Sequence, residues 1–357
     1  MSEISRRTIL QLAASGMILP SIQQLAVAVE NDPYQDAKLV DGPPAAIQPG
    51  SFTIAVLPDT QNYSQKFPET FLAQTRWIVE QKASRNIAAV LHLGDITNTS
   101  SKIEWELARA AMQQLDGQVP YFMVPGNHDY SAGGSATDRK TLFSEYFPLA
   151  SFQDLPTFGG IYDKEPGRME NSYHHFETAG RKFLVLCLEF GPRKDVVRWA
   201  NEVAKAHPAH EVILITHAYM YYDDTRYDWK NLGTKQNWNP HAYAVAKNTG
   251  DDVTDGAELW EQLVSQHENF ILTLNGHVLN DGLGRLTSQT PDGRDVHQML
   301  VNYQVRPHGG DGWLRLLEFQ TDGTIAVTDY SPVLNKSNHS TQSHFELKGS
   351  PVSKKSK

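Results

Sequence analysis

The sequence predicts an α/β protein in which two mixed β-sheets pack face to face with helices outside. Three observations lead there. Apolar runs of strand length alternate with stretches of helical spacing through the first part of the chain. Hairpin patterns replace that alternation in the middle and at the end. Hydrophobic residues make up 40% and charged residues 20% of 357 positions, a composition that can bury such a core.

The elements follow in order. Residues 1–28 carry Arg6-Arg7, an apolar stretch from Thr8 to Ile22, and the small residues Ala26-Val27-Ala28. That order is expected of a secretory signal, and the paired arginines resemble a bacterial twin-arginine signal, implying a periplasmic or secreted protein. The stretch is too short and too interrupted for a membrane span. Residues 29–50, with Pro43, Pro44 and Pro49, read as a linker. A domain is expected over 51–335. Its strands are Phe52–Leu57, Ala88–Leu93 and Tyr121–Val124, separated by helices Thr70–Ser84 and Ile103–Leu115. Two strands, Asn171–Glu177 and Lys182–Glu189, join at Ala179-Gly180. Helix Asp195–Ala206, strand Val212–Thr216, helix Glu258–His267 and strand Phe270–Leu274 come next. Strands Val296–Gln304, Leu314–Gln320 and Thr324–Tyr330 close the pattern, and residues 336–357 read as an extension with a frayed end.

Charge and cysteine content exclude some functions. With 32 Lys+Arg against 41 Asp+Glu the net charge is −9, the wrong sign for an extended nucleic-acid surface. One cysteine, Cys187 in an apolar strand, rules out a disulfide framework and a Cys-rich zinc site.

The chemistry lies at the strand ends. Five apolar runs are followed by Asp59-Thr60-Gln61, Gly94-Asp95, Gly126-Asn127-His128-Asp129, His217 and Gly276-His277. One polar strand end is ordinary, because turns favour Asp, Asn and Gly. Five in succession converge on one rim of a sheet, where ligands sit in such folds. Packing does not require that, and metal binding explains it: Asp oxygens and His nitrogens suit Zn, Fe and Mn.

This ordered series resembles the calcineurin-like metallophosphoesterase superfamily, whose pattern runs DxH, GD, GNH[D/E], H and GHxH. The resemblance implies that family's α/β/β/α sandwich. It also implies phosphate-ester hydrolysis by a metal-bound hydroxide on one or two divalent ions (Mn, Fe, Zn or Mg). By the same resemblance Asp95 bridges two metals, Asn127, His217 and His277 complete the second site, and Asp59 and Gln61 serve the first. His128 is expected near the scissile phosphate, with Asp129 orienting its ring. Two departures fall on the first site: Gln61 stands where the family has histidine, and Leu279 replaces the last histidine. Asn280, Asn62, Asn98 and His297 are all open as substitutes. The alternative is a catalytically impaired binding module on the same fold.

Other features stay open in the sequence. The aromatic-rich insertion 219–256 either stacks on a substrate or forms a local core. On strand Val296–Gln304, Asn302 and Gln304 point either to the site or to a sheet surface. Arg306 is a candidate phosphate ligand, Glu189 a candidate rim residue, and Gly133-Gly134-Ser135 an expected mobile loop. The expected substrate is small and phosphorylated.

Overall fold

The computed structural model describes residues 32–349. The signal expected over 1–28 and the end of the tail lie outside these residues. Residues 32–35 form a turn by themselves, with the Gln35 N–H donating to the Asp32 carbonyl.

From Asp36 onward the chain builds two sheets. β1 (Leu39–Asp41), β2 (Phe52–Leu57), β3 (Ile87–His92) and β4 (Tyr121–Met123) belong to the first. The second is built from β5 (Phe158–Ile161), β6 (Ser172–Thr178), β7 (Arg181–Leu188), β8 (Glu211–Thr216), β9 (Phe270–Asn275), β10 (Leu283–Gln289) and β11 (Asp295–Val301). The chain then returns to the first sheet with β12 (Leu314–Phe319), β13 (Thr324–Ser331), β14 (Lys336–Asn338) and β15 (His344–Lys348). The orders are β1-β14-β13-β12-β2-β3-β4, with β15 also on β13, and β10-β11-β9-β8-β7-β6-β5. β1 therefore lies within the expected linker, and β14 and β15 of the expected extension belong to a sheet.

Alternation along the strands decides the layers. Phe52 of β2 and Phe319 of β12 face inward and meet Phe183 of β7 at ring-centroid distances of 5.6 Å each. Phe176 of β6 stacks on Phe183 at 5.0 Å, so aromatic rings fill the space between the sheets. The opposite face of β2, through Ala55 and Leu57, packs with Phe71 and Ile78 of helix Pro68–Gln81 and with Trp105 and Met112 of helix Lys102–Met112. Helix Lys194–Ala206 covers the second sheet, with Val196, Trp199 and Ala200 against Leu184 and Leu186. Each fully buried valine there contributes roughly 1.5–3 kcal/mol. Helix Lys102–Met112 starts at a capping box in which Ser101 accepts from the Glu104 N–H and Glu104 accepts in return.

The expected strand Phe52–Leu57 matches β2 at both ends, and the neighbouring elements shift by a few residues. One difference matters for the site. β11 ends at Val301, so Asn302 and Gln304 lie beyond the strand rather than on its alternating face.

Candidate metal centre

β2, β3 and β4 run parallel in one sheet, and β7, β8 and β9 run parallel in the other. Parallel strands end together, so the residues that follow them meet at one rim. Asp95 after β3, His217 after β8 and His277 after β9 are buried, with donor atoms all within 4.8 Å of one another. Asn127 and His128, after β4, line a cavity of about 280 Å³ together with Asp95, His277 and Gln61. Asp59, after β2, stands beside the cluster, and its carboxylate accepts the His277 backbone N–H at 3.1 and 3.2 Å.

The loops are shaped for these contacts. Asp95 and His277 take left-handed backbone, with φ of 45° and 79°. Such residues cost of order 1–3 kcal/mol and cluster at functional sites. A Cβ on Gly126 would fall 2.1 Å from Asp95 Oδ1, and one on Gly276 would fall 1.9 Å from Asp59 Oδ1. Both glycines leave room for a carboxylate.

Hydrogen bonds fix each imidazole. The Nδ1–H of His217 donates to the Leu93 carbonyl at 2.8 Å, which leaves Nε2 facing the cluster. His277 is turned the other way: its Nε2–H donates to the Trp238 carbonyl at 2.8 Å and leaves the Nδ1 lone pair. Such carbonyl contacts set the tautomer of metal-binding histidines and raise their basicity. His217 Nε2 lies 3.1 Å from Asp95 Oδ1 but is not aligned for a hydrogen bond. Gln61 Oε1 and Asn127 Oδ1 are likewise buried without a partner. Buried polar atoms are normally paired, so the two orphaned amide oxygens, beside His217 Nε2 and the Asp95 carboxylate, fit a group that accepts lone pairs.

Charge points the same way. Burial lowers the His217 pKa, but Asp95 and Asp59 outweigh it and push the ring up to about 9. Burial raises Asp59 to about 7, against the pull of His217 and with Asp95 adding to the rise. Burial, then the charge of His217, drives His277 down to about 3. The cluster thus draws a proton onto His217, and a divalent cation supplies that positive charge without protonating a ligand. His128 donates its Nδ1–H to the Asn98 carbonyl at 2.7 Å. Burial lowers its pKa, but Asp95 outweighs that and leaves it raised.

Several expectations are corrected. Asp129 does not touch the His128 ring. Its carboxylate accepts the N–H groups of Ile96, Thr97 and Gly126, at 2.8–3.0 Å, and ties the Asp95 and Asn127 loops together. Gly133 and Gly134 are tied down by hydrogen bonds to Thr99 and Ser131. Arg306 spends both terminal nitrogens on Asp36. Glu189 pairs with Arg193 and Arg139. His297 has both nitrogens engaged, with Thr287 and the Lys348 carbonyl, so it does not stand in for Leu279. Leu279 itself lines the cavity. The aromatic insertion divides: Tyr219 and Tyr227 join the core, while Trp238 and Tyr243 line the cavity.

Sequence reasoning missed two supports. His92 on β3 accepts the Gly94 N–H at Nδ1 and bonds Thr60 through Nε2, beneath the rim. Burial, with His217 adding, lowers its pKa to about 3, so it stays neutral. A histidine inside an apolar strand was the available signal. The Trp238 carbonyl had none, because any residue carries one.

The calcineurin-like phosphoesterase family model matches residues 52–281. The chain is 29% identical over 297 residues to the uncharacterized protein YvnB of Bacillus subtilis (strain 168). That match covers 81% of this chain and 20% of YvnB, so the chain spans about one fifth of that relative. Among solved structures it is similar to purple acid phosphatase PPD1 of yellow lupin seeds, with 12% identity and a TM-score of 0.46, over 85% of this chain and 54% of that one. A 5'-nucleotidase precursor from Thermus thermophilus gives 12% and 0.44, over 84% and 55%. The chain belongs to the calcineurin-like phosphoesterase family, phosphate-ester hydrolases that use divalent metal ions.

Proposed function

We propose that this protein is an exported phosphoesterase that hydrolyses small phosphate mono- or diesters. One observation carries the reading: Asp, Asn, Gln and His side chains that follow five separate strands gather at one rim, where the buried Gln61 and Asn127 oxygens lack a hydrogen-bond partner beside a cavity that also holds His128. In this reading Asp95 would be shared between two divalent ions, Asn127, His217 and His277 would hold the second, and Asp59 and Gln61 would hold the first. Bound divalent ions supply Lewis acidity, polarising the phosphoryl oxygens and acidifying water for in-line attack. His128, which Asp95 holds above its ordinary pKa against the pull of burial, is placed to deliver a proton to the departing alcohol oxygen. Its ring is held by the Asn98 carbonyl, so the proton leaves from Nε2. Trp238, Tyr243 and Leu279 give the cavity an apolar wall for the alcohol portion, and the volume selects a small substrate. Residues 1–28 would direct export, 51–335 form the catalytic domain, and 219–256 shape its mouth.

Aryl phosphomonoesters, aryl phosphodiesters and aryl acetates, assayed beside elemental analysis of protein purified without added metal, test this reading. Hydrolysis of a phosphate ester together with bound metal supports it. Leu279 and Gln61 favour one rival, an impaired binding module on the same fold. Metal near zero with no phosphate hydrolysis would assign that rival instead. Cell fractionation tests export, and retention of the intact chain in the cytoplasm would refute it.

A further inference from the structure

We infer that Asn302 and Gln304 position the two oxygen ligands of the first metal site, and that this half of the centre takes an exchangeable, oxygen-preferring ion, Mg²⁺ or Mn²⁺. The inference rests on the reading above, in which Asp59 and Gln61 serve that site.

The geometry starts where β11 stops. Beyond Val301 the chain turns toward the rim, and Asn302 Oδ1 accepts the backbone N–H of Gln304 at 2.9 Å. An oxygen committed to a backbone donor forces the other end of the amide to be NH₂. That Nδ2 donates to Asp59 Oδ2 at 2.9 Å, so one carboxylate oxygen is held by Asn302 and the His277 N–H together. Gln304 does the matching task for Gln61. Its Oε1 accepts the Gln61 Nε2–H, which leaves Gln61 Oε1 as the buried atom with no partner. The Gln304 carbonyl also accepts from Asn62, which anchors the loop to the helix that carries Gln61.

The two halves are therefore oriented by different chemistry. Backbone carbonyls of Leu93 and Trp238 turn the imidazoles of the second site. Side-chain amides turn the oxygens of the first. Asp59, Gln61 and Asp95 offer only oxygen, which suits Mg²⁺ and Mn²⁺, whereas imidazole suits Zn²⁺ and Fe. A neutral amide in place of an imidazole makes that ion the more weakly held of the two.

The test reads metal, not turnover. Full-length protein is stripped, then dialysed to equilibrium against graded Mn²⁺, with and without excess Mg²⁺, and its metal content measured. Wild type should hold one ion tightly and a second more weakly, with Mg²⁺ displacing only the second. Gln304→Ala should weaken the second ion by about 10-fold, the usual scale for losing a ligand's supporting contact, and leave the tight ion at one per chain. In a Gln61→Ala background the same Gln304→Ala change should cause no further loss, because Gln304 acts on that ion only through the Gln61 amide. An equal loss in both backgrounds would overturn the positioning role. Two ions of equal affinity, or one ion at every concentration, would overturn the oxygen-preferring site. Asn302→Ala should also weaken the second ion, and if that variant does not fold the Gln304 cycle decides alone. Phosphate-ester activity is scored separately, so a protein that binds both ions yet hydrolyses nothing would refute the function and leave this inference standing.

Discussion

Among the described residues, two groups of three side chains have the composition of a metal site: Asp95, His217 and His277, and His241, Asp255 and Glu258. They differ in what their donor atoms already do. In the second group Asp255 accepts from the N–H groups of Trp229 and Glu258 and from the Asn239 amide. Glu258 closes a capping box on the Asp255 N–H and accepts from His241 Nε2 at 2.8 Å. That group starts helix Gly256–Gln262 and pins the insertion. In the first group His217 Nε2 faces only the Asp95 carboxylate, without an aligned hydrogen bond, and Asn127 Oδ1 and Gln61 Oε1 close by have no hydrogen-bond partner. Residue type and proximity are shared, so they do not identify a centre. Unpaired amide oxygens beside the acid–imidazole group set the first apart from the second.

The variant with the largest expected effect breaks the first group. Asp95→Asn should lose metal and activity together, with turnover down by at least about 10²–10³-fold, the scale of losing one preorganised electrostatic element. Elemental analysis beside a phosphate-ester assay checks it, and normal metal content would contradict the bridging role. Next, His128→Ala should keep its metal and lose roughly 10²–10⁴-fold in turnover, the range for a proton donor. If metal disappears as well, the ring is a ligand rather than an acid.

Asp255→Ala probes the other group. It should destabilise the fold by about 1–3 kcal/mol through the lost cap and stranded N–H groups, with metal content unchanged. Chemical denaturation and elemental analysis read the two arms. The smallest effect is a pH dependence. Burial lowers the His241 pKa, but Glu258 outweighs it and leaves the ring above its ordinary 6.5. Its contribution is complete below pH 6.5 and is lost as pH rises through the raised value. Burial raises Glu258, but His241 outweighs it and leaves the carboxyl below its ordinary 4.5. That contribution is complete above pH 4.5 and is lost as pH falls through the lowered value. The contact should therefore stabilise most between about pH 4.5 and 6.5. Melting curves of wild type and His241→Gln across pH should diverge most in that window, and a constant gap would mean charge plays no part.

How far the sequence could be read follows from the same distinction. Side chains that follow parallel strands were legible, because topology alone carries Asp95, Asn127, His217 and His277 to one rim. Contacts chosen by loop shape were not. Asp129 beside His128 invited a ring partner, yet the tight turn aims its carboxylate at three backbone N–H groups. Arg306 beside the site invited a phosphate, yet Asp36, 270 positions earlier, claims it. Asn302 and Gln304 were ambiguous because the end of β11 decides their direction, and apolar patterning does not fix where a strand stops.

Trp238 ties two properties to one peptide unit. Its backbone is left-handed at φ 63°, its carbonyl holds the ring of His277, and the same residue walls the cavity. A graft that swaps this insertion to recruit another substrate would therefore also release a histidine of the centre. Selectivity and ion retention would have to be re-engineered together, and a chimera judged by its preference alone would misreport which of the two had changed.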